Sequence, residues 1–138
     1  GNIAGQDLKM NYSAVPQCIY AHPEIACVGM TEKEAKENGH AVKIGRFPLS
    51  ANGKSVSEGE TDGLIKIISA DDTGEILGVH MICPHATEMI SESVLAMNLE
   101  ATVKEIAGTI HPHPTVSEAV MEAASAADGW PIHMVRYG

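Results

Sequence analysis

Aromatic side chains are nearly missing from this chain: 138 residues hold one Trp, one Phe and three Tyr. A core must therefore be assembled from Ile, Val, Leu, Met and Ala, and a chain of this length suits one compact domain. Basic residues are also in deficit. Nine Lys and Arg face 18 Asp and Glu, giving a formal charge of -9, which argues against a general grip on nucleic-acid phosphates. No apolar run is long enough to span a bilayer. The opening Gly1-Asn2-Ile3-Ala4-Gly5 lacks the basic and apolar regions of a signal peptide. Cys18, Cys27 and Cys83 form neither a CxxC pair nor a zinc-type spacing. Their odd number disfavours a disulfide-stapled secreted scaffold and favours a reducing compartment such as the cytoplasm; each reads as a small core residue. There is no GxGxxG turn and no Walker loop, so the chain carries no nucleotide cradle that its sequence reveals.

What is present is well punctuated. Residues 1–14 are polar and weakly patterned and read as a residual linker or lead-in segment. Short strands are expected at Gln17 to Ala21, Ile25 to Met30, Val42 to Leu49, Leu64 to Ile68 and Ile76 to Ile82. Asp71-Asp72-Thr73-Gly74 is strong turn chemistry, so the last two strands form an antiparallel hairpin. Residues 50–63, rich in Ser, Gly, Asn and Glu, read as a loop. Thr31-Glu32-Lys33-Glu34, Thr102-Val103-Lys104-Glu105 and Thr115-Val116-Ser117-Glu118 each match the capping box, and each predicts a helix start. Met89, Ile90, Val94 and Met97 recur at helical spacing and predict a helix over 85–98. Strands precede helices, the order of an α+β domain in which an antiparallel sheet is packed with α-helices.

The segment His111-Pro112-His113-Pro114 concentrates chemistry. Each His is followed by Pro, which fixes the backbone and removes a donor, and a His-Pro bond is a candidate cis peptide. Glu118 follows His113 by five residues, in the first turn of the last helix. A carboxylate there can bind one imidazole nitrogen and leave the other as a base, the logic of a base held by an orienting group. Two blander readings stand beside it. Glu118 occupies the capping-box position, and His111 and His113 are simple turn residues or a His-x-His metal pair. A metal lacks a third ligand at any supporting local spacing, although His80, His85 and His133 exist in the sequence.

The run His111 to Glu118 resembles the His-x-His-Pro-Thr-x-x-Glu motif of dihydrolipoyl dehydrogenases, within the pyridine nucleotide-disulfide oxidoreductase family. Further segments match that family in order: Val15-Pro16-Gln17, His22-Pro23-Glu24-Ile25-Ala26-Cys27-Val28-Gly29, Thr31 to Lys36, Ser50-Ala51-Asn52-Gly53-Lys54, Glu58 to Gly63, and Gly78-Val79-His80 to Pro84-His85-Ala86. The resemblance runs from Val15 to about Ala127. It implies the C-terminal dimerisation (interface) domain of such an enzyme over residues 15–138, working as a homodimer. It further implies that His113 is the acid/base toward a dihydrolipoyl substrate, that Glu118 orients it, and that the His113–Pro114 bond is cis. The pair would reach the FAD domain of the partner subunit, with FAD and NAD as the parent's cofactors. The FAD fingerprint, the NAD domain and the family's Cys-x4-Cys redox pair are absent from these residues. The resemblance therefore implies a piece of a larger enzyme, inactive alone. A glutathione reductase would share the His/Glu pair; the extra His111 and Pro84-His85-Ala86 favour the lipoyl member. The closing run Trp130 to Gly138 lacks the vicinal cysteines of a mercuric reductase. A non-catalytic dimerisation module is the reading from a different class.

Overall fold

The computed structural model describes residues 1–134; Val135 to Gly138, the end of the expected 15–138 domain, lie outside the described residues. Five strands form one sheet: β1 (Gln17–Ile19), β2 (Glu24–Gly29), β3 (Val42–Pro48), β4 (Leu64–Ala70) and β5 (Ile76–Cys83). Their order is β1-β2-β5-β4-β3, and every neighbouring pair is antiparallel. The helices are α1 (Glu32–Glu37), α2 (Gly53–Glu58), α3 (Ala86–Asn98), α4 (Val103–Gly108) and α5 (Glu118–Ala127). The expected α+β class is the observed one.

Period-two alternation sets the two sides of the sheet. Phe47 lies opposite Ile65, Ile65 opposite Met81, and Met81 opposite Ala26; all four are buried. On this side α5 packs on β3 and β4, α3 packs on β2 and β5, and α4 leans on α5. Burying side chains the size of Phe47, Ile65 and Met81 contributes about 1.5–3 kcal/mol each, so this row anchors the helices that carry the site. The adjacent row points the other way. Arg46 lies opposite Lys66, Lys66 opposite His80, and His80 opposite Cys27. A smaller cluster there joins Ala35 of α1 to Ile68, Ala70 and Leu77.

Glu32 gathers the cations of that outer row. Its carboxylate lies 2.7 Å from Lys36 Nζ, 2.7 Å from Lys66 Nζ and 3.2 Å from Arg46 Nη2. The bonds from Lys36 and Lys66 hold its carboxyl down at about 2, against an ordinary 4.5. A carboxyl lowered on folding stabilises fully above its unfolded value and loses that contribution as pH falls through its folded value. Denaturant midpoints measured across this range should thus fall between about pH 4.5 and about pH 2. Glu32→Gln should flatten that part of the profile while lowering the neutral-pH midpoint slightly.

Thr31 and Thr102 make the expected capping boxes. Two local readings are corrected. The expected loop at 50–63 contains α2, because the Asn52 side chain accepts from Ser55 N–H and Gly59 closes the helix in the left-handed region at φ 76°. The box at Thr115 is only half formed. Glu118 Oε2 accepts from Thr115 N–H at 2.9 Å, but the Thr115 hydroxyl donates to Pro112 O, so the helix starts after Ser117 without a side-chain cap. The lead-in segment is exposed through Ser13, and Ala14 is buried in the core.

Candidate acid/base site

The segment between α4 and α5 is fixed at several points. Val116 is buried. The buried Asn52 donates from Nδ2 to Thr115 O at 3.0 Å while its Oδ1 caps α2, so one side chain ties the 50s turn to the histidine loop. His111 is also an anchor. Its side chain is 4% exposed, with Nδ1 3.0 Å from Thr109 O and Nε2 3.0 Å from Glu92 Oε1 of α3. Both ring nitrogens face acceptor oxygens and are committed within the fold, which removes His111 from any His-x-His metal pair. Among the described residues no three His, Cys, Asp or Glu side chains gather as metal ligands.

His113 is placed differently. Its side chain is 79% exposed, and Nδ1 lies 2.9 Å from Glu118 Oε1. The His113–Pro114 peptide bond is cis, as is His22–Pro23. Glu118 divides its two oxygens, Oε1 facing the imidazole and Oε2 accepting from Thr115 N–H. Burial pushes its carboxyl up. The Thr115 N–H, the His113 bond and the charges of His113 and His133 outweigh that and hold it below the usual glutamate value. An ionised carboxylate only accepts, so a neutral His113 bonded to it carries its hydrogen on Nδ1. The Nε2 lone pair is then open to an incoming donor. A carboxylate-backed imidazole with one nitrogen presented outward can take and return a proton. The sequence pairing of His113 with Glu118 is thus a contact in the fold, while the capping reading survives as the second oxygen's bond.

Cys27 and Cys83 are poorly suited to be thiolates. Burial, with the Glu24 charge adding to it, pushes the Cys83 thiol up to about 12. Burial and then the neighbouring Cys18 raise Cys27. A thiolate nucleophile needs the opposite shift. Sequence reasoning gave no role to Asn52, Glu92 or Glu122, and weighed His133 only as a histidine without a supporting spacing. Glu122, 2% exposed, lies 2.6 Å from His133 Nδ1 and accepts from the backbone N–H of Ile132 and His133 at 3.0 and 3.3 Å. The only sequence trace of that pair is Gly129 after α5, which turns the chain back at φ 87°.

The sequence profile described as "Pyridine nucleotide-disulphide oxidoreductase, dimerisation domain" matches residues 15–124. The chain is 62% identical over 119 residues to dihydrolipoyl dehydrogenase of Bacillus subtilis (strain 168), covering 86% of this chain and 25% of that protein. It is 46% identical over 127 residues to dihydrolipoyl dehydrogenase 3 of Pseudomonas putida, covering 92% and 27% respectively. The chain therefore spans about a quarter of the length of these curated relatives. Among solved structures, LpdA of Mycobacterium tuberculosis matches with a TM-score of 0.81 at 27% identity, over 89% of this chain and 27% of that one. The HOCl-induced flavoprotein disulfide reductase RclA of Escherichia coli matches as its Cu(II) complex, with a TM-score of 0.78 at 27% identity, over 82% and 26%. The antiparallel sheet, the packing of α3 and α5 on one face of it and the profile match over most of the chain agree, and the chain belongs to the pyridine nucleotide-disulphide oxidoreductase dimerisation-domain family.

Proposed function

We propose that residues 15–138 are the interface domain of an NAD-dependent dihydrolipoyl dehydrogenase, with residues 1–14 leading into it. In this reading the domain pairs two identical subunits and supplies His113 and Glu118 to the partner subunit's redox site. The observation that carries it is the exposed His113 imidazole backed at 2.9 Å by Glu118. A general base serves chemistry when it lies within hydrogen-bond reach of the proton it takes. Presented on a surface, His113 reaches a reactant that a second protein surface brings to it. His113 Nε2 takes the proton from a dithiol S–H, and the resulting thiolate attacks one sulfur of a redox disulfide on the parent's other domain. A new S–S bond forms, the old one breaks, and its second sulfur leaves as thiolate. Glu118 holds the imidazolium through Nδ1 meanwhile.

FAD and NAD, in the intact parent, supply the electron transfer that follows. Neither fits this fold: among the described residues every strand pairing is antiparallel, and the sequence holds no GxGxxG turn to cradle a pyrophosphate. The chain's own part is pairing and proton handling. No helix among the described residues is long and apolar enough to cross a membrane. The free cysteines support a reducing compartment such as the bacterial cytoplasm.

Mixed dimers of the parent enzyme test the arrangement. One subunit carries His113→Gln and the other lacks a redox cysteine. If the pair acts across the interface, the mixed dimer keeps one intact site of its two and turns over dihydrolipoamide. If the pair acts within its own subunit, both sites are broken and the mixed dimer is dead, which overturns the proposal. A dimer that loses nothing when both subunits carry His113→Gln favours the dimerisation module instead.

A further inference from the structure

His113 lies on a loop that is held on both sides of it. Ahead of it, the buried His111 ring meets Thr109 O and Glu92. Behind it, Thr115 is bonded at its hydroxyl, its N–H and its carbonyl. The hydroxyl donates to Pro112 O at 2.7 Å and the N–H to Glu118 Oε2 at 2.9 Å. These two bonds stay within the loop and the first turn of α5. The third leaves it: Thr115 O accepts from Asn52 Nδ2 at 3.0 Å, across 63 positions of chain, and Asn52 is 4% exposed. The chemistry of the amide suits this place. Asn52 Oδ1 accepts from Ser55 N–H at 2.9 Å. An N–H donates and a carbonyl accepts, so oxygen must face Ser55 and nitrogen must face Thr115. Capping α2 does not require an amide, because Asp and Ser cap a helix as well as Asn. The bond to Thr115 does require one here. Asp has no donor for a carbonyl, and a Ser hydroxyl, on a stem one atom shorter, does not span both partners. The bond also sits at a joint. Peptide units are planar, so the chain turns only about φ and ψ. Glu118 holds the unit before the Thr115 Cα and Asn52 holds the unit after it. Freeing the second unit frees ψ of Thr115, the torsion between the histidine loop and the run into α5.

We propose that Asn52 is a positioning residue for the acid/base pair: from the buried start of α2 it clamps the Thr115 carbonyl, which sets the angle between the histidine loop and α5 and keeps Glu118 on His113 Nδ1. The links run by direct bonds, from Asn52 to Thr115, from Thr115 to Glu118 and from Glu118 to His113. The inference rests on the acid/base reading of His113 and Glu118 for its meaning in turnover. It assigns to that site a residue far from it in sequence, which acts through Thr115 and Glu118 and touches no substrate.

The test uses Asn52→Ser and Asn52→Asp, which keep a side-chain cap on α2 and remove the donor to Thr115 O. One is neutral and the other charged, so an effect they share belongs to the lost donor. Long-range nitrogen-15 to proton correlation in the full 138-residue chain, at a pH where imidazole is neutral, reads which nitrogen of His113 carries hydrogen. Both variants should lower the Nδ1–H fraction by about twofold or more, because the hydrogen bond at one ring nitrogen sets where the proton sits. In the parent enzyme both should lower kcat by about tenfold with KM little changed, since a misplaced catalytic group slows the chemistry rather than the binding. Gly59→Ala is the control for plain instability. Its φ of 76° strains any residue with a Cβ, so α2 loosens at its far end and the denaturant midpoint falls, while Asn52 keeps its bond to Thr115. The Nδ1–H fraction should not move in that variant. Glu118→Ala gives the value for a broken pair. An unaltered fraction or an unaltered kcat in the two Asn52 variants overturns the proposal, as does an equal fall of the fraction in Gly59→Ala. If Glu118→Ala itself leaves the fraction unchanged, the acid/base pair has failed and this inference falls with it. Should one Asn52 variant fold poorly by its amide spectrum, the other decides; if neither keeps the native spectrum, Asn52 serves folding and the positioning role is overturned.

Discussion

His113→Gln in the proposed parent enzyme should lower dihydrolipoamide turnover by about 10²–10⁴, the usual cost of losing a positioned acid/base. Glutamine keeps a polar, hydrogen-bonding side chain but cannot accept and return a proton near neutral pH. The fall should appear in kcat as well as in kcat/KM, because the lost interaction belongs to the transition state. Stability should hardly move. The side chain is 79% exposed, and surface substitutions of this kind stay within about 0.5 kcal/mol. The bond from Thr115 N–H to Glu118 Oε2 also survives the change. Glu118→Gln should cost less turnover, since the imidazole base remains and only its orientation and charge support are weakened. Steady-state rates with denaturation midpoints for both variants check the pattern. Unchanged turnover in His113→Gln would end the acid/base assignment, and a large fall in its stability would mean that the exposed imidazole is holding the fold.

What the sequence made legible was local. The β-branched runs at Ile65–Ile68 and Ile76–Ile82 place two central strands because side-chain alternation and a four-residue turn are both written within about 20 residues. Thr31 and Thr102 cap as expected because both halves of a capping box lie within one turn. His113 and Glu118 were likewise close enough for spacing to suggest a contact. The failures come from features with no local period or with distant partners. The α2 helix carries a single apolar side chain, Val56, and that is exposed, so no amphipathic stripe announced it. Asn52 meets Thr115 across 63 positions, and His111 meets Glu92 across 19. Glu122 is almost fully buried because the chain folds back onto it from residues 132 and 133, partners too far along the chain for any local period to mark. Thr115 misled for a different reason: Pro112 O offered its hydroxyl a partner 2.7 Å away, and the cap bond was not made.

Gly45→Ala should destabilise the fold by more than a single methyl suggests. A Cβ built at Gly45 would lie 1.9 Å from Ala123 O, 2.6 Å from Ala127 N and 2.9 Å from Ala127 Cβ. Two of these are backbone atoms of α5, so no flexible side chain can step aside. Either β3 bends or the helix lifts from the sheet. Overpacking of this kind costs about 1–3 kcal/mol, occasionally more, and α5 resists because Ala119, Val120, Ala123 and Ala124 are all fully buried against their neighbours. Gly53→Ala supplies the contrast. Its Cβ would meet nothing within 4 Å, and at the start of α2 an added methyl should be neutral or stabilising by up to about 1 kcal/mol. The same one-carbon change should therefore carry opposite signs on the two sides of this turn region, measured as denaturant midpoints. The consequence reaches the site because α5 carries both Glu118 and Glu122. If the helix lifts, the 2.9 Å contact between His113 and Glu118 lengthens, and the Nδ1–H form of His113 should decline with stability. A Gly45→Ala chain that is as stable as the original would show that the sheet and α5 are not packed backbone to backbone, and the rigid platform for His113 would lose its basis.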